Sequence, residues 1–433
     1  MWDSRFGCVL LISILVCSHA TGQTAGQTTG QNAKADWARF RGPSGVGIAA
    51  ASSIPTDWGR DAGVLWKTAL PGAGASSPIV FGDRVYLTAY TGYLVPGEET
   101  GSLEKLKRHV IAIRLTDGQL IWDKSFPAKL PEEERIRDHG FAANSVAVDS
   151  ERVYAFFGKS GVLALDHEGN QLWQADVGAK TNGWGTAASP VLYKDRVFIN
   201  ASVESESLIA LNAKTGAELW RASGIREAWN TPLVVQNQAA ADELVIATQG
   251  SIQAFNPQTG KSLWSCETDI GWYMVPSVVA DNGILYCLGG RSGTASLAVR
   301  VGGQGDVTQT HRLWTSPKGS NVSSPVFKDG YLYWVNDSRE TAYCADAKTG
   351  KVIFEQRLPR GGQFYASALL VDEKLLYVNR QGKTFVLAAK PEYELLSVND
   401  LSDGSDFNGS PAVTGNQLLL RSDKYLYCIG SKK

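Results

Sequence analysis

Aromatic and amide side chains recur along this chain in short clusters: His139-Gly-Phe141-Ala-Ala-Asn144, Asn182-Gly-Trp184-Gly-Thr186, Trp229-Asn230, Trp272-Tyr273, Asn321, Phe364-Tyr365 and Phe407-Asn408. Rings supply stacking faces and amides supply paired donors and acceptors, so such clusters suit a planar or polar ligand, or a loop of another protein. The candidates for binding are His139, Asn144, Trp184, Trp229, Asn230, Trp272, Tyr273, Tyr365 and Asn408. Carboxylates stand near them at Asp138, Glu227, Asp269 and Asp406. Sequence gives no direction for those side chains, so the rings equally suit a cap on whatever passage they surround.

Catalytic signatures are missing. The chain has no Gly-x-Ser-x-Gly, His-Glu-x-x-His, Gly-x-Gly-x-x-Gly or phosphate-binding Lys loop. Beyond the leader its histidines are His109, His139, His167 and His311, spread over separate units, and a metal needs three or four ligands together. No catalytic residue and no metal ligand is therefore assigned. The run Pro131-Glu-Glu-Glu-Arg135-Ile-Arg137-Asp138 is either a solvated loop or short helix, or a polar rim for a partner.

The elements that carry these clusters come from a repeat. Ala210-Leu-Asn212-Ala-Lys-Thr215-Gly216-Ala-Glu-Leu-Trp220 returns as Ala254-x-Asn256-x-x-Thr259-Gly260-x-x-x-Trp264, as Cys344-x-Asp346-x-x-Thr349-Gly350-x-x-x-Phe354 and as Ala112-x-Arg114-x-x-Asp117-Gly118-x-x-x-Trp122. Ala164-x-Asp166-x-x-Gly169-x-x-x-Trp173 is one residue shorter. The polar stretch ending in glycine is a hairpin turn, and the alternating apolar residues beside it are two antiparallel strands. Four residues past the glycine an aromatic ring faces a neighbouring unit. Trp66, Trp122, Trp173, Trp220, Trp264, Trp314 and Phe354 take this docking role.

Unit starts fall at Ser77, Ser145, Ser189, Thr231, Ser277, Ser324, Ala368 and Ser410, at intervals of 68, 44, 42, 46, 47, 44 and 42 residues. The long interval holds a Gly- and charge-rich surface insertion, Thr91 to Arg108. About 44 residues and four strands make one propeller blade. The expected fold is all-β: an eight-bladed β-propeller of four-stranded antiparallel blades over residues 36–433. Ser410 to Gly430 supplies three strands, and Val64 to Leu70, with Trp66 in the docking position, supplies the fourth and closes the ring.

The Ala-x-Asp-x-x-Thr-Gly-x-x-x-Trp pattern resembles the tryptophan-docking repeat of pyrroloquinoline-quinone-type propellers over residues 64 to 430. Trp37-x-x-Phe40-Arg41-Gly42-Pro43 resembles the start of exported bacterial members. That family includes quinoprotein dehydrogenases and the outer-membrane lipoprotein scaffold of the β-barrel assembly machinery, so the resemblance implies architecture and leaves chemistry open. Its dehydrogenases use adjacent cysteines over the cofactor and an acidic and amide set that holds Ca²⁺. This chain has no Cys-Cys and no Cys-x-x-Cys-His haem site. The expectation is a non-catalytic scaffold without a cofactor, binding a protein or small ligand on its loop face. The alternatives are an oxidoreductase using pyrroloquinoline quinone with Ca²⁺, and an outer-membrane assembly scaffold.

Residues 1–20 read as an export signal cleaved near Ala20, and 21–35 as a flexible linker, which places the protein in the periplasm or outside the cell. No second apolar run is long enough to span a bilayer. With 42 basic and 43 acidic side chains, the net charge of -1 offers no field for nucleic acid. A monomer is expected. Cys344 and Cys428 occupy small-residue slots of the repeat; the disulfide state of Cys266, Cys287, Cys344 and Cys428 is open from sequence.

Overall fold

The computed structural model describes residues 1–2, 37–49, 53–60 and 62–431. Apart from Met1 and Trp2, the expected leader and linker lie outside the described residues. Eight blades of antiparallel strands form the ring, as the repeat predicts. The third blade shows the plan: Val191–Tyr193, Arg196–Ala201, Ser207–Asn212 and Glu218–Ser223 run in sequence from the axis outward. No helix among the described residues is long and apolar enough to cross a membrane.

The small residue and the aromatic of the repeat are cross-strand partners. Ala112 faces Trp122, Ala164 faces Trp173, Ala210 faces Trp220, Ala254 faces Trp264, Ala298 faces Trp314 and Cys344 faces Phe354. In each pair the register shifts immediately after the small residue, a bulge that twists the outer strand. All four described cysteines are free and buried.

Five of the docking indoles lie beneath the hairpin of the next blade. The indole N–H groups of Trp66, Trp122, Trp173, Trp220 and Trp314 donate to the carbonyls of Leu115, His167, Ala213, Pro257 and Ala347, at 2.9 to 3.1 Å. The turn glycine makes this possible: a Cβ on Gly216 would stand 2.6 Å from the Trp173 ring, and the residue holds φ at +73°. Trp264 departs from the pattern and donates to Glu243 of its own blade, because the following blade has an insertion where the turn would be.

The closing strand is Val64–Ala69, paired antiparallel with Tyr425–Ile429 so that Trp66 faces Cys428. Arg421, buried at this seam, donates to the Ser76 hydroxyl and to the Thr88 carbonyl in the first blade. Two outer edges are covered by extra chain: Gly305–Asp306 pairs in parallel beside Ser262–Glu267, and Gly59 bridges Asp400. The insertion after Thr91 packs Tyr93, Val95 and Leu106 around Phe141.

Around the axis, one hydroxyl per blade accepts the backbone N–H of its counterpart in the preceding blade. Ser77, Ser145, Ser189, Thr231, Ser277, Ser324, Ser367 and Ser410 complete a circle of eight such bonds at 2.8 to 3.2 Å. The seventh start is therefore Ser367, one residue before the Ala368 expected from sequence.

Candidate functional site

Two families of loops open on one face: those leading into each inner strand, and those joining the second strand of a blade to the third. Together they line a cavity of about 500 Å³ over the axis. Of the predicted residues, His139, Trp184, Trp229, Trp272, Tyr273 and Tyr365 line it. Tyr273 is its aromatic centre, with Trp184, Trp229 and Trp272 at centroid distances of 5.6, 5.6 and 5.3 Å. The buried Trp229 is fixed by its indole N–H, 2.7 Å from the Gly185 carbonyl, whereas Trp272 is 40% exposed.

The remaining candidates stand elsewhere. Asn144 and Asn230 are buried outside the cavity, with amides spent on the backbone: Asn144 donates to Ala188 O, and Asn230 donates to Ala247 O and accepts from Ala247 N. Asn408 lies deeper, in a narrower cavity of about 120 Å³ lined by most of the hydroxyl circle. Its Nδ2 donates to Asp138 O, while Oδ1 is buried without a partner. Phe141, Phe364 and Phe407 turn away into the core between blades. Of the nearby carboxylates, Asp138 alone lines the large cavity.

Sequence reasoning missed Arg291 and Arg339, because it considered only the loops leading into inner strands. Arg291 lies between Ile284–Leu288 and Ser296–Arg300, and Arg339 between Tyr331–Val335 and Thr341–Asp346. Both line the cavity, with Arg137 and Lys318. The Arg137 guanidinium stands 5.2 Å from the Trp184 ring, and that of Arg291 stands 5.4 Å from Trp272. The readable signal was the polar turns Gly-Gly-Arg291-Ser-Gly and Asn336-Asp-Ser-Arg339, spaced like the aromatic clusters.

The acidic run at 131–138 is a strap bound across the rim. Lys159 donates to Pro131 O, Arg108 pairs with the buried Glu132 at 3.0 Å, and Thr181 donates to Glu133 at 2.5 Å. Asp138 reaches the seventh blade, where Tyr365 Oη donates at 3.1 Å and Arg380 at 3.2 Å. Burial, then the Asp138 charge, push the Tyr365 phenol up to about 12, so it stays a donor. Burial pulls the His139 imidazole below its ordinary value, which favours the neutral ring. Beside the strap, buried Glu204 accepts from Thr186 Oγ1 on one oxygen and has no partner on the other; burial lifts its carboxyl to about 7.

At the far end of the axis, residues 37–49 cross the ring. Trp37 bridges Val80, Ala38 O accepts from Val148 N, Arg41 donates to Pro325 O, and Ile48 bridges Leu370. Phe40 lines the narrow cavity and forms its floor.

A cofactor held through Ca²⁺ would draw on the acidic side chains of this cavity. Of its two carboxylates, Asp138 is tied to Arg380 and Tyr365, and Asp337 accepts from Ser320 Oγ and from Asn321 N. Among the described residues no group of three or more His, Cys, Asp or Glu side chains could hold a metal ion.

Residues 57–202, 158–302 and 305–391 match the family described as outer membrane protein assembly factor BamB. The chain belongs to this family. The BamB of Burkholderia pseudomallei is 25% identical over 374 residues, which cover 82% of this chain and 84% of the relative. Tetrathionate hydrolase of Acidithiobacillus ferrooxidans is 22% identical over 333 residues, covering 70% and 62%. Among solved structures, BamB from Moraxella catarrhalis superposes with TM-score 0.61 at 13% identity, covering 85% of this chain and 97% of that one. A europium-containing methanol dehydrogenase superposes with TM-score 0.66 at 12% identity, covering 92% and 98%. At these identities the superpositions show the fold alone.

Proposed function

We propose that this BamB-family chain is an exported, non-catalytic binding protein that works without a resident cofactor and captures a ligand or partner in the cavity of its loop face. The observation that carries this reading is the wall of aromatic rings and guanidinium groups over a floored axis, a surface with stacking faces and donors on a rigid ring. Family membership and the Burkholderia pseudomallei relative favour a finer reading, a scaffold role in outer-membrane protein assembly from the periplasmic side. The leader-like residues 1–20 support the same compartment.

The test is affinity capture with wild-type protein and a Trp184→Ala/Trp272→Ala variant, alongside thermal unfolding. Bound material lost from the variant at unchanged Tm supports the reading; equal capture by both sinks it. Pyrroloquinoline quinone with Ca²⁺ forms a separate arm. A raised Tm together with dye reduction on alcohols or sugars would replace this reading with an oxidoreductase.

A further inference from the structure

Three guanidinium groups line the large cavity without a carboxylate within 4.0 Å among the described residues: those of Arg137, Arg291 and Arg339. Of the carboxylates that line the same space, Asp138 is paired with Arg380, and Asp337, bonded by Ser320 Oγ and Asn321 N, leaves one negative charge against three guanidinium groups. Lys318, the remaining lysine or arginine of the lining, is paired at the rim with Glu355. A chain of net charge -1 therefore concentrates unpaired positive charge at one opening, which selects an anion.

The shape of the wall restricts the anion further. Trp184, Trp229 and Trp272 meet Tyr273 at interplanar angles of 38°, 72° and 42°, with centroids no more than 5.6 Å apart. These rings touch one another and leave no parallel slot between them, so a flat polycyclic ligand cannot be interleaved. They form a faceted apolar surface on which a puckered ring can rest one C–H face. Polar side chains stand beside the rings: Ser338 and Gln363 line the same cavity and offer a hydroxyl and an amide to a ligand that carries hydroxyl groups.

An extended peptide is disfavoured by the backbone. Recognition of a strand relies on free main-chain groups, and the N–H groups around the axis are consumed by the circle of hydroxyls. With Phe40 as a floor, a long chain cannot thread through. A compact ligand fits, and about 500 Å³ falls in the ~300–1,000 Å³ range of small-ligand sites.

Resting on the reading that this cavity is a binding site, we infer that it takes a short acidic saccharide: a carboxylate-bearing sugar whose charge meets Arg291 and Arg339, whose C–H face lies on the aromatic wall, and whose hydroxyls meet Ser338 and Gln363 beside that wall. The test titrates the purified protein with trigalacturonate, with a neutral trisaccharide, with acetylated tri-glutamate and with pyrroloquinoline quinone, followed by tryptophan fluorescence and calorimetry. Trigalacturonate should saturate the signal, with the neutral sugar weaker by about tenfold or more. Arg291→Met/Arg339→Met should lose about tenfold in affinity for trigalacturonate at unchanged Tm. Equal binding of the neutral sugar, tighter binding of the peptide or the quinone, or an unaffected double variant overturns the inference. Silence from all four probes overturns it too, while capture that depends on Trp184 and Trp272 would leave the binding reading standing.

Discussion

Replacing Gly216 with alanine tests the physical reason for the repeat. The residue holds φ at +73°, where a Cβ costs about 1 kcal/mol or slightly more. The new methyl would also stand 2.6 Å from Cε3 and 2.7 Å from Cδ2 of Trp173, so the indole of the second blade must move. Moving it strains the 3.1 Å hydrogen bond from Trp173 Nε1 to Ala213 O, which contributes about 1 kcal/mol, and re-exposes part of the ring. The sum is about 2–4 kcal/mol. Gly330→Ala is the control: φ is +83° there, and nothing lies within 4 Å of the added carbon, so the cost stays near 1 kcal/mol. Urea unfolding of both variants, repeated in a Trp173→Phe background, separates backbone from seat. The extra cost of Gly216→Ala should shrink by about 1 kcal/mol or more against the smaller ring. If the two glycine variants agree within about 0.5 kcal/mol, or if the cycle is additive, the docking argument is wrong.

Ser189→Ala removes the acceptor for the buried Ser145 N–H and should destabilise by about 1–3 kcal/mol in the same assay, with Ser189→Thr close to wild type. Glu204 predicts a pH dependence. Its carboxyl titrates near 7 in the fold against 4.5 for the free group, so the folded state holds a proton that the unfolded state has released. The stabilisation is full below about 4.5 and is lost as pH rises through 7, about 3 kcal/mol in all. Urea midpoints taken from pH 5 to 8 should fall for wild type and stay flatter for Glu204→Gln; parallel curves would refute the assignment.

The ring was legible in the sequence because its devices are periodic. A glycine, a small residue and an indole at fixed spacing express one contact made between successive blades, and Val64 to Leu70 supplied the single strand missing from that period. The seventh start slipped by one although strand and hydroxyl keep one offset throughout, Leu369 following Ser367 by two residues as Ile79 follows Ser77; Ser367-Ala-Leu lacks the Ser-Pro pair that marks most other starts. The floor was not legible: Trp37, Phe40 and Arg41 act through irregular backbone that has no periodicity to read. Within the site, aromatic residues declared themselves, but amides did not. Asn230 and Asn321 look alike in sequence, yet the amide of one serves the backbone while that of the other leaves an oxygen unmet. Arg291 and Arg339 were invisible for a different reason, since surface arginine is common and only the meeting of two loop families sets them beside Arg137 on one wall.

The crossing of residues 37–49 beneath the axis turns a tunnel into a well. Whatever settles there has one doorway for arrival and departure, and the strap from Pro131 to Asp138 is part of the frame of that doorway. Arg380, which grips Asp138 at 3.2 Å and lies 4.6 Å from the centroid of the Tyr365 ring, pins one end of that frame to the seventh blade.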